Sequence, residues 1–198
     1  MREVAKANRR VPAIFALVLA ILVLGGLGLA LRQAWVGYYR AAYPLGYYEL
    51  VMQYSAERDL PPALVFAVIR SESGFDHAAY SYAYAKGLMQ ITEETFEWVR
   101  MRMGDDQDRP FEEMFIPEVN IRYGTMILRL HLDHFGGERE AIAAYHAGRR
   151  QVALWLGDTR FSDDGITLRD TPFRKTNAYL HNVLFARDIY LALYDLDN

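Results

Sequence analysis

The chain has 198 residues, of which 52% are hydrophobic and 24% charged, enough for one globular domain with a core plus an appendage. Its net charge of −3 lacks the basic excess that binds nucleic acid. With no cysteine, disulfides and thiol chemistry are excluded.

Residues 1–10 hold Arg2, Lys6, Arg9 and Arg10 against Glu3 alone, and residues 11–31 then run for 21 positions without a charge. About 20 apolar residues cross the roughly 30 Å of a bilayer's hydrocarbon. The preceding basic cluster predicts a single-pass membrane anchor, with residues 1–10 cytoplasmic and the remainder outside. A cleaved leader has an apolar region of only about 7–15 residues and a small-residue cleavage site. This run is longer, and it passes into Leu31-Arg32-Gln33-Ala34-Trp35 without such a site. Residues 32–46 read as a juxtamembrane linker whose Trp35, Tyr38, Tyr39 and Tyr43 suit the headgroup layer. Pro44 and Gly46 break the chain before a soluble domain over residues 47–198.

In that domain the apolar spacing is helical throughout. Residues 47–59 place Leu50, Val51 and Tyr54 on one face. Pro61 and Pro62 open a second helix, since an N-terminal residue has no intrahelical use for its N–H. Leu64, Val65, Val68 and Ile69 follow at helical spacing, and Gly74 stops it. Glu72 sits just before that stop, at the end of an apolar helix, where burial would raise its pKa toward that of a neutral-pH general acid. A solvated last-turn carboxylate is the plainer alternative. Asp76 suits a turn cap at Ala78-Ala79. Thr92 is placed to cap a helix with an acidic first turn, Glu93-Glu94, running to Met103.

The acidic loop at 104–108 lacks the glycine and glutamate of an EF-hand and reads as solvated. Pro117 opens a long helix ending at Gly136-Gly137. Its His131 and His134 lack a third zinc ligand and read as surface histidines. Short helices over 138–146 and 152–156 follow, the second with Trp155 in the core. A polar loop spans 161–171. A last helix from 176 to about 193 buries Tyr179, Val183, Ile189 and Leu193. No alternating strand pattern of any length occurs, so the fold class is all-α.

Glu72-Ser73, Ser81, Gly87-Leu88-Met89-Gln90, Ala144-Tyr145-His146-Ala147-Gly148 and Pro172-Phe173 leading to Tyr179 occur in that order. This series resembles the catalytic domain of the soluble-lytic-transglycosylase (SLT) type, lysozyme-like enzymes that cleave peptidoglycan, over about residues 47 to 194. The resemblance implies a lysozyme-like domain behind one transmembrane helix, acting on peptidoglycan glycan strands without cofactor or metal. It implies that Glu72 is the sole acid and base. The enzyme would break the bond between N-acetylmuramic acid and N-acetylglucosamine and leave a 1,6-anhydromuramoyl end. Ser81 and Gln90 would bond the glycan, Tyr145 would orient Glu72 or the N-acetyl group, and Gly87 and Met89 would shape the groove floor. Tyr179 would chiefly pack, with its hydroxyl near the cleft.

The sequence departs from that pattern at three places. His146 follows Tyr145 where the family usually has Asn. Lys175 replaces a usual Glu, and could pair with Glu72 and depress its pKa or bind substrate carboxylates. Tyr84 stands where the loop before Gly87 usually has Gly. Two alternatives stay open at this stage. One is a hydrolytic muramidase of the same fold; the other is a non-catalytic glycan-binding module of an envelope-spanning protein complex.

Overall fold

The computed structural model describes residues 2–105 and 109–196, with the backbone alone for residues 2–14. Asp106, Gln107 and Asp108 of the acidic loop, and Met1 of the basic N-terminus, lie outside the described residues. Two compact units divide between Pro44 and Leu45.

The first unit is one helix, α1 (Arg2–Ala42). Its stretch Phe15–Ala42 is long and apolar enough to cross a membrane, and none of it is buried against protein. Residues 32–42, read from sequence as linker, continue the helix, because no breaker intervenes before Pro44. Trp35, Tyr39 and Tyr43 repeat every four residues, and their rings pack in series at 4.5 and 6.0 Å.

The second unit is all-α. Among its described residues no strand occurs; only two isolated bridges join Tyr80 to Lys86 and Lys86 to Ile91. After α2 (Tyr48–Glu57) come α3 (Pro62–Glu72), α4 (Glu93–Met103), a 3₁₀ turn at Phe111–Phe115, and α5 (Pro117–Phe135). Then follow α6 (Glu138–Ala147), α7 (Arg149–Leu156) and α8 (Arg174–Leu193). Every residue of α3 from Pro62 to Ile69 is buried, so α3 is the central helix. It packs along α8 and against α2, while α6 bridges α5, α7 and α8. Phe66 of α3 and Tyr190 of α8 meet at 5.4 Å between ring centres.

Helix ends follow the sequence signals. Thr92 caps α4 by accepting the Thr95 N–H, and Gly104 and Gly136 end α4 and α5 in left-handed conformations.

The loop between α3 and α4 is pinned to α5 by Asn120, which is fully buried. Its amide oxygen accepts the Met89 N–H at 2.8 Å, and its amide nitrogen donates to Lys86 O at 3.0 Å and Met114 O at 2.8 Å. Gly87 lies against the same group at φ +75, where a Cβ would sit 2.1 Å from Met114 O and 2.4 Å from Asn120 Nδ2.

Asn120→Ala strands the Met89 N–H and two carbonyls, and is expected to cost about 3 kcal/mol. Gly87→Ala meets backbone as well as strain, and is expected to cost at least about 2 kcal/mol. Urea unfolding of the detergent-solubilised chain reads both values. A loss under about 0.5 kcal/mol for Asn120→Ala, the range of an ordinary surface change, would mean the pin is not needed.

Candidate active site

Glu72 is the last residue of α3, and the chain turns sharply beyond it, with Gly74 at φ +61 and Phe75 at φ +71. The Ser73 hydroxyl lies 2.8 Å from Leu88 O and 3.2 Å from Ile69 O, so the end of α3 is tied to the Gly87–Gln90 segment. That segment is held across its base by paired bonds between Lys86 and Ile91 and by the Gly87 N–H on Ala79 O. Gln90 has φ +47, and its side-chain amide donates to Ala79 O and Gly87 O at 3.1 and 2.9 Å. Tyr84, where a glycine was expected from the resemblance, does adopt a left-handed conformation at φ +61.

Glu72 opens onto a cavity of about 650 Å³ shared with Ser81, Gln90, Tyr145 and His146. Burial raises its carboxyl from the ordinary 4.5 to about 7. One group opposes this: Tyr179 of α8 donates its hydroxyl to Glu72 Oε1 at 2.6 Å, favouring the ionised form. Burial beside Glu72 pushes both Tyr179 and Tyr145 well above the ordinary phenol range, so each keeps its proton. The Tyr145 hydroxyl donates to Met89 O at 2.7 Å. The His146 ring lies 4.5 Å from that of Tyr179 and is held below its ordinary pKa by burial and by nearby Lys175. Glu94, the other carboxylate on the cavity wall, is exposed and does not contribute to the raised pKa of Glu72.

The sequence-predicted residues therefore separate. Glu72, Ser81, Gln90, Tyr145 and His146 share the cavity, and Tyr179 joins through Glu72. Gly87 and Met89 are buried behind it; Met89 packs against Gly124 of α5. Lys175 is exposed on the first turn of α8, makes no ion pair with Glu72 and leaves its pKa undepressed. Asp76 caps its turn by accepting the Ala78 N–H at 2.9 Å.

His131 is not a surface residue: it is buried, lines the cavity, and stacks on Trp98 at 6.1 Å. Its spacing of four from Ile127 put it on the buried stripe of α5, a signal that outweighs its polarity. Asn120, three residues before Tyr123 on the same stripe, carried a similar signal. Trp98 and Arg149 also line the cavity and had none. Among the described residues no group of three or more His, Cys, Asp or Glu could hold a metal ion.

The Transglycosylase SLT domain family matches residues 49–166. The chain is 35% identical over 151 residues to the soluble lytic murein transglycosylase of Salmonella typhimurium, covering 75% of this chain and 23% of that protein. It is 33% identical over 117 residues to the membrane-bound lytic murein transglycosylase C of Glaesserella parasuis, covering 54% and 32%. The solved lytic transglycosylase Slt of Pseudomonas aeruginosa, an inactive mutant with one glutamate changed to glutamine, matches with a TM-score of 0.66 at 31% identity. That match covers 78% of this chain and 26% of the other. The chain spans about a quarter of the length of these soluble relatives.

Folding favours protonated Glu72, whose carboxyl titrates near 7 in place against 4.5 ordinarily. The stability this confers is complete below about pH 4.5 and is lost as pH rises through 7. Glu72→Gln should therefore raise Tm by several degrees relative to wild type at pH 8, and by much less at pH 5. Tyr179→Phe removes the bond that favours the ionised carboxylate, so the Glu72 titration, followed by carboxyl ¹³C NMR, should move above 7. A downward move would mean that the hydroxyl does not act on Glu72 as drawn.

Proposed function

The chain belongs to the transglycosylase SLT domain family, and on that premise we propose that it is a membrane-anchored lytic transglycosylase of peptidoglycan, a cell-wall lyase. The observation that carries this reading is a carboxyl half-protonated near pH 7, held by Tyr179 on the wall of a cavity of sugar-binding size.

Protonated Glu72 gives its proton to the oxygen linking N-acetylmuramic acid to N-acetylglucosamine, and the bond from the muramoyl C1 to that oxygen breaks. The muramoyl N-acetyl oxygen supports the cationic C1. Glu72, now a carboxylate, takes the proton of the same sugar's C6 hydroxyl as that oxygen bonds to C1. The anhydro ring closes, the acid is restored and no water is consumed. A residue that must serve first as acid and then as base works best with a pKa near ambient pH. Tyr179 suits both stages, since its hydrogen bond steadies the ionised state without quenching the acid.

Ser81 accepts the Ala85 N–H at 3.2 Å through its oxygen, which leaves its O–H to donate to the glycan. Gln90 lines the same cavity with its amide nitrogen committed to Ala79 O and Gly87 O, which leaves its amide oxygen to accept from the glycan, and Tyr145 holds the Met89 carbonyl in place. Gly87 and Met89 act from behind, as support for the wall. His146 and Lys175 edge the site on the α6 and α8 side.

The apolar stretch of α1 and the basic residues before it support anchoring in the cell membrane, with the second unit on the outer face. A relative named as membrane-bound agrees with this. Peptidoglycan is the partner that the reading requires.

A hydrolytic muramidase is a second reading because Glu94 lies on the same wall and could activate water. Mass spectrometry of peptidoglycan digested by the solubilised protein separates the two. The expected products are one water lighter than hydrolysed muropeptides, and Glu72→Gln should slow their release at least about 100-fold. Hydrated products would establish the muramidase instead. Failure of wild type to release any product would reduce the domain to a glycan-binding module.

A further inference from the structure

We infer that Trp98, His131 and Arg149 form a subsite for the carboxylate-bearing substituent of muramic acid, beside Tyr145 in the same cavity. The inference rests on the peptidoglycan reading and goes beyond it, because the fork of a guanidinium without an acidic partner is matched by a carboxylate better than by sugar hydroxyls.

Three separate helices bring the cluster together: Trp98 from α4, His131 from α5 and Arg149 from the start of α7. All three line the cavity. The Arg149 guanidinium lies 5.0 Å from the centre of the Trp98 ring, and Arg102 lies 5.5 Å from it. A guanidinium held against an aromatic ring still has its in-plane N–H edge to offer, in the fork that a carboxylate matches. Among the described residues, no acidic side chain is within ion-pair distance of Arg149. Its cation is therefore held by an aromatic face, and its hydrogen-bonding edge is available to a ligand.

His131 completes the wall of the subsite. Only 5% of it is exposed, and its Nδ1 is buried without a hydrogen-bond partner. That atom is shut off from the cavity too, so what His131 gives the subsite is its ring, stacked on Trp98 at 6.1 Å on the cavity wall. Its ring meets Tyr145 edge-on at 6.4 Å, and Tyr145 reaches the segment that supports the Glu72 wall. The subsite is thus continuous with the proposed cleavage site.

Muramic acid carries a lactyl ether at O3, whose carboxyl is either free or extended by a peptide stem ending in carboxylates. Both sources present the same group to Arg149. Glu94, one turn before Trp98 on α4, tilts the choice. It repels a bare lactyl anion but would attract the free amine that a stem peptide carries together with its carboxylate.

Calorimetry on Glu72→Gln protein, full chain in detergent, reads binding without turnover. The probes are soluble glycan tetrasaccharides in three forms: stem-bearing, amidase-stripped to the free lactyl carboxylate, and carbodiimide-amidated to remove carboxylates. The Glu72→Gln/Arg149→Gln double variant should bind a carboxylate-bearing probe about tenfold more weakly than Glu72→Gln, and the amidated probe equally. If the deficit appears only with the stem-bearing probe, the stem supplies the carboxylate; if only with the stripped probe, the lactyl group does. Arg149→Lys in the same background should recover part of the loss, and both Arg149 variants should keep the Tm of Glu72→Gln measured in the same buffer. Equal binding by Glu72→Gln with and without Arg149→Gln, for all probes, would overturn the subsite. If Glu72→Gln binds none of the probes while wild type also releases no muropeptide, the peptidoglycan reading itself fails.

Discussion

The constraint on which the site depends is that a carboxyl is kept largely out of water. Desolvation disfavours its charge, and its place at the last turn of α3 adds the partial negative charge of a helix C-terminus. Such a group is tolerated only if its position is fixed by something stronger. Here that something is α3 itself, buried from Pro62 to Ile69 and packed along α8. The same α8 supplies Tyr179, so the helix that fixes where Glu72 sits also carries the hydroxyl that moderates its acidity.

Local chemistry made much of the fold readable in advance. Two prolines and a glycine bracketed α3, Thr92 marked the start of α4, and Gly136 marked the end of α5, each through a backbone requirement acting over a few residues. Where no breaker exists, boundaries slipped. Residues 32–42 read as linker because their composition turns polar and aromatic, yet nothing there prevents the helix from continuing. The 3₁₀ turn at Phe111–Phe115 gave no periodic pattern to find.

The site was legible in its parts and not in its wiring. Glu72 and its companions could be named from a series of short motifs, but the bond from Tyr179 spans 107 positions, and no spacing rule reaches that far. Motif position left Lys175 two roles, pairing with Glu72 or binding substrate carboxylates; in three dimensions it lies near His146 and does not act on Glu72, which removes the first. His131 was judged by its polarity when its register along α5 should have decided. Met89 lies in a motif associated with the groove, yet it fills a gap against Gly124, where even a methyl group would collide with its sulfur.

Gln90 has a broader consequence. Its backbone is left-handed, and its amide nitrogen is committed to two carbonyls of its own loop. Gly87 is required by a collision with α5, and Met89 by the volume beside Gly124. The four letters from Gly87 to Gln90 therefore encode a shelf before they encode any chemistry. Searching genomes for them would retrieve proteins able to build this architecture, including those that had lost turnover. The residues that distinguish one such protein from another lie elsewhere, on the walls that the shelf supports.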